Sequence, residues 1–126
     1  MYDGFPPLLP ALIIAFKLSY SLAGILSSTI LSVSFIMSLA TGYLADAGNR
    51  RKLTLVSGFI LYGLSLLILK FSSNIPLLFT ACVVMGVAQA TYHPQAVSFI
   101  NSFFKERKGF ALGIHGIGGS IGHFAA

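Results

Sequence analysis

Charge is absent from two long stretches of this chain, Ser21 to Ala45 and Leu53 to Leu69. Uncharged apolar runs of that length read as membrane spans. Extended to the whole chain, the pattern predicts five apolar segments, at about 4–17, 21–45, 53–71, 75–100 and 109–126. Their length and lack of alternation fit helices rather than barrel strands. Pro76 falls in the opening turn of the fourth segment, where a proline costs no hydrogen bond. The first segment is short for a span of about 20 residues. The fifth is still apolar at Ala126. The expected fold is an all-α integral membrane bundle of about five helices, with the first and fifth cut short.

Composition agrees with this. Of 126 residues, 56% are hydrophobic and 9% charged, against about 25% charged in a soluble domain. The net charge of +5 does not point to nucleic acid, because its positions are those of topogenic loops. Arg50, Arg51 and Lys52 fall in one short loop, and Lys105, Arg107 and Lys108 in another. Basic loops stay on the cytoplasmic side and touch anionic headgroups. Loops 46–52 and 102–108 and the N-terminus are therefore expected in the cytoplasm, and the chain in the cell membrane. Lys17 to Tyr20 and Ser72 to Asn74 are expected outside. No cleavable signal peptide is expected, since a basic n-region is missing. Cys82 is the single cysteine, which excludes an internal disulfide.

Small residues recur at four-residue spacing, as membrane helices use for close approach. Ser34, Ser38 and Gly42 form one such stripe, and Cys82, Gly86, Ala90, Pro94 and Ser98 another. Gly109, Gly113, Gly118 and Gly122 crowd the fifth segment. They fit either close packing or a moving helix, and Pro94, Gly113, Gly118 and Gly122 are the expected bending or packing positions.

Candidate chemistry is sparse. Asp46 lies at the C-terminal end of its helix, unfavourable for an anion. It needs a partner, either the nearby arginines or another helix's N-terminus. His93-Pro94 lies inside the fourth segment, with Gln89 one turn earlier and Tyr92 beside it. The proline frees a carbonyl one turn back. Polar groups at that depth should face the bundle or a water-filled cavity. His93 is then a substrate contact or proton relay, or simply a hydrogen-bond partner of another helix. His115 and His123 share a face of the fifth segment, too far apart for the usual metal-ligand spacing. No metal, no cofactor and no catalytic constellation is expected. Gly116, Gly118 and Gly119 lack the Lys-Ser/Thr of a phosphate loop.

The run Gly42 to Lys52 resembles the loop between helices two and three of the major facilitator superfamily, typically Gly-x-x-x-Asp-Arg-x-Gly-Arg-Arg. Ala47 and Asn49 depart from it, standing where Arg or Lys and Gly are usual. Asparagine tolerates the left-handed conformation a glycine would take. Gly4-Phe5-x-x-Leu8-Leu9-Pro10 and Ser19 to Gly24 resemble the first helix and following turn of drug or metabolite permeases. Gly86-x-x-x-Ala90-x-Tyr92-His93-Pro94 and Lys108-Gly109-x-Ala111-x-Gly113 resemble fosmidomycin-resistance-like members. Gly118-Gly119-x-x-Gly122 resembles an efflux motif.

The resemblance implies a secondary transporter of a small solute (drug, sugar or organic acid) working by alternating access. Inverted three-helix repeats would enclose a mid-membrane site. Protons are the expected coupling ion, with His93 the titratable group near neutrality, since no acid lies mid-span. Gly42, Asp46, Asn49, Arg50 and Arg51 would form the cytoplasmic lock. Gln89, Tyr92, His93 and His115 would line the cavity or relay protons. The expected partners are the bilayer, the solute and missing C-terminal helices, the chain being an N-terminal fragment. Two rivals are a small multidrug-type dimeric transporter and a truncated, non-transporting polypeptide. The first requires a glutamate in helix one, which is absent.

Overall fold

The structure is a computed structural model and describes residues 5–47 and 50–125; the side chains of residues 47, 93, 119 and 122–125 are outside that description. The described residues are helical, with no strand among them. A 3-10 turn at Pro6–Leu8 leads into α1 (Leu9–Phe16), followed by α2 (Tyr20–Ala47), α3 (Arg51–Lys70), α4 (Ile75–Phe103) and α5 (Lys108–Ala125).

Local chemistry sets the helix ends. Lys17 closes α1 with φ 51°, a left-handed conformation, and the Leu18 N–H reaches back to the Ile13 carbonyl at 3.0 Å. Chain reversal to α2 follows within three residues, and the Ser19 hydroxyl accepts from the Leu22 N–H at 3.2 Å. Asn74 caps α4, its Oδ1 accepting from the Leu77 N–H at 2.9 Å. Such a cap satisfies a backbone donor that the first turn leaves orphaned. Arg51 and Lys52, placed in the loop by the charge pattern, open α3 instead.

Length separates the helices. At 1.5 Å per residue α2 and α4 reach about 42–44 Å and α3 about 30 Å, against a hydrocarbon core of about 30 Å. These three are apolar enough to cross a membrane. With eight residues α1 spans only about 12 Å.

The centre of the bundle is α4. It packs along α2 on one side and α3 on the other, while α2 and α3 barely meet and α5 leans mainly on α4. Half of its apolar window is buried, against 17% for α2 and 11% for α3. Small residues permit this. An ideal Cβ at Gly86 would lie 2.8 Å from the Ile30 carbonyl and from Val33 Cβ, and one at Gly58 would lie 2.5 Å from Thr91 Oγ1. In hydrocarbon, burying apolar groups gives no advantage over lipid, so contact at this range is what holds helices together.

Two halves of different character result. Phe5, Leu18, Leu26, Ile30, Leu78, Cys82 and Met85 form an apolar core where α1, α2 and α4 meet, near the 17–20 and 72–74 turns. Towards the basic loops polar residues join buried alanines: Thr41, Gln89, Thr91 and Gln95 beside Ala45, Ala88, Ala90 and Ala96. Phe35 and Tyr43 of α2, each 75% exposed, leave apolar surface uncovered on the outside of the bundle.

Candidate functional site

At the basic end, α2 and α3 are joined by a charge clasp. Arg51 donates from Nη2 at 2.9 Å and from Nε at 3.1 Å to Asp46 Oδ1. Of the two partners open in the sequence, the nearby arginine is the one observed. Asp46 ends one helix and Arg51 begins the next, so the carboxylate also sits close to the positive end of α3. Both side chains are largely solvated, at 67% and 41% exposure, so the pair is worth at most about 1 kcal/mol. Gly42 lies one turn before Asp46 with open space where a Cβ would stand. The Arg50 N–H reaches the Ala45 carbonyl at 3.0 Å and its carbonyl accepts from Thr54. Asn49 lies outside the described residues.

Deeper in, three helices present rings to one another. Tyr92 of α4 meets Phe59 of α3 edge to face, with centroids 5.2 Å apart, and His115 of α5 at 6.2 Å. Phe59 is eight residues into α3 and His115 seven into α5, which places both about 11 Å inside the basic end. That is short of the middle of a core about 30 Å thick. Beside the rings, Gln89 and Gln95 are 7% and 4% exposed on α4. Tyr92 and His115 are thus brought together, with Gln89 buried on the same helix. The side chain of His93 is outside the described set, as is that of Gly122. Among the described residues no three potential ligands gather as a metal site.

The glycines of α5 lack the close approach that their spacing offers. Nothing lies within 4 Å of an ideal Cβ at Gly109, Gly113 or Gly118. Close approach falls instead at Gly86, on the α4 stripe read from the sequence, and at Gly58 of α3, which sequence reasoning missed. Gln95 and Thr41 were missed as well. Gln95 had a legible signal, a second amide one turn beyond Tyr92. Thr41 had only an indirect one: Thr41 Oγ1–H donates across to the Ala90 carbonyl at 2.8 Å, and Ala90 is the residue whose carbonyl Pro94 leaves without its usual donor.

A bundle of long apolar helices, clasped at a basic end and carrying buried amides and rings between its helices, has the make-up of an integral membrane protein. The family model of the Major Facilitator Superfamily matches residues 1–126. The chain therefore belongs to that superfamily, whose members are secondary transporters of small solutes and not enzymes. This sets aside the small multidrug-type reading. Neither a curated protein nor a solved structure matches the chain.

Proposed function

We propose that the chain moves a drug, sugar or organic acid across the cell membrane by alternating access, and that its likeness to fosmidomycin-resistance-like permeases points to efflux. The observation that supports this most is the polar content of α4. The most enclosed helix of the bundle buries Gln89 and Gln95 and holds Tyr92 between Phe59 and His115. Amides and rings at that depth are costly against lipid, and they persist where they face a solute path. Gln89, Tyr92, His93 and His115 line that path. Protons are the coupling ion, with His93 as relay, because no acid lies in the middle of a span. Gly42, Asp46, Asn49, Arg50 and Arg51 gate the cytoplasmic side, where loops 46–52 and 102–108 lie. Pro94, Gly113, Gly118 and Gly122 permit the helices to bend. The lock is completed by a helix N-terminus from a second helical half.

The test is transport by the whole protein in a host lacking its own exporters, challenged with a panel of antibiotics, sugars and organic acids. Tyr92→Ala should lower tolerance or uptake for whichever compound responds. His93→Ala should remove the dependence of that transport on external pH. A Tyr92→Ala variant that transports like the parent would refute the path, and unchanged pH dependence in His93→Ala would refute the relay.

A further inference from the structure

We infer that Thr41 is a positioning residue that substitutes, from α2, for the backbone N–H that Pro94 removes from α4. A helix hydrogen-bonds each N–H to the carbonyl four residues earlier. Pro94 has no N–H, so the Ala90 carbonyl loses its partner. Ala90 is 1% exposed and lies in a membrane helix, where water cannot fill the gap. An unpaired buried carbonyl is costly. The Thr41 hydroxyl fills this place at 2.8 Å, from a side chain itself 8% exposed.

The alternative for that hydroxyl is visible elsewhere in the chain. Ser27, Thr29, Ser65, Thr80 and Thr91 each turn back onto a carbonyl of their own helix. Thr41 keeps such a bond only as a longer one, 3.3 Å to the Ser38 carbonyl, and gives the shorter one to α4. The bond pins the stretch from Ala90 to Pro94, which includes Tyr92 and directly follows Gln89. Thr41 therefore sets where these groups sit without touching a solute. The inference concerns the geometry of α4 and goes beyond the transport proposal, so either can fail alone.

The experiment is a mutant cycle on the full chain in detergent micelles, read through Cys82. That thiol is buried at 1% exposure in α4, so its labelling by a maleimide reports opening of the bundle. Thr41→Val removes the donor and keeps the shape. It should speed labelling roughly 3- to 18-fold, the range that interhelical hydrogen bonds span in membrane proteins. Thr41→Ser keeps the donor and should label like the parent. Pro94→Ala restores an N–H to Ala90, so adding Thr41→Val to it should change the rate by less than about twofold. An equal effect of Thr41→Val with and without Pro94 would overturn the inference. So would Thr41→Ser labelling as fast as Thr41→Val, a comparison that stands even if Pro94→Ala does not fold.

Discussion

Gly86→Ala should weaken the bundle, whereas the same substitution at Gly63 should not. At Gly86 the added methyl would lie 2.8 Å from the Ile30 carbonyl and 2.8 Å from Val33 Cβ. Ordinary contact begins at 3.4 Å, so α2 and α4 must part by about 0.6 Å, the difference between 3.4 and 2.8. Backbone cannot rotate aside as a side chain can. The separation also loosens Leu26, Ile30, Leu78, Cys82 and Met85, which meet along the same seam. Overpacking of this kind costs about 1–3 kcal/mol. Replacing glycine by alanine within a helix returns about 0.8–1 kcal/mol. The net is a loss of about 0–2 kcal/mol, which leaves Gly86→Ala about 1–3 kcal/mol less stable than a glycine-to-alanine change that meets no neighbour. Gly63 meets nothing within 4 Å, so only the propensity term acts and the variant should be neutral or up to about 1 kcal/mol more stable. The assay is helicity by circular dichroism during titration with sodium dodecyl sulfate. If Gly86→Ala unfolds at the same detergent fraction as Gly63→Ala, the close approach of α2 and α4 is not what holds the bundle.

Other consequences are open to simpler measurements. Asp46→Asn should cost no more than about 1 kcal/mol in the same titration, since the Arg51 pair is solvated; a larger loss would mean that the clasp is structural. Lys17→Gly should stabilise by about 0.5–1 kcal/mol, because lysine holds a φ of 51° that glycine adopts without strain; a destabilised variant would show that the lysine side chain matters there. Asn74→Ala removes the cap on α4 and should cost about 1 kcal/mol. Lys52→Cys and Lys105→Cys, each in a Cys82→Ala background, should react with an impermeant maleimide only in inside-out vesicles, and labelling of intact cells would reverse the proposed orientation.

Much of the fold was legible because the bilayer imposes a coarse rule. A span must be long and uncharged, so the charges at Asp46 to Lys52 and Lys105 to Lys108 mark the breaks. The ends were less legible for the same reason. Arg51 and Lys52 read as loop by charge, yet a helix can carry its first turn of charge into the headgroup region, and α3 does so. The stripe Cys82, Gly86, Ala90 reads as a packing face from spacing alone, and the structure buries all three. The same spacing in α5 meets open space at Gly113 and Gly118. Small residues permit an approach, but which neighbour accepts it is a property of the bundle.

The candidate site shows the same division between what one helix determines and what two determine together. Pro94 announces within its own sequence that the Ala90 carbonyl needs a donor; the donor is 49 residues away on α2. Asp46 likewise needs a partner because of its own helix dipole, and Arg51 meets that need from five residues on, near enough for sequence to suggest it. Demand is local and supply is tertiary. This is why α4 holds both the polar groups and the proline. A helix enclosed by α2 and α3 can afford an unmet carbonyl and two amides, because neighbours on either side can supply what it lacks. On the uncovered surface of α2, around Phe35 and Tyr43, the same residues would have found no neighbouring helix. The expectation is testable by transplantation. Moving the proline from 94 to the more exposed position 97, with Pro94→Ala and Val97→Pro, should leave the His93 carbonyl without its helical donor and destabilise the bundle more than Pro94→Ala alone. Equal stability of the two would mean that enclosure is not what permits the proline.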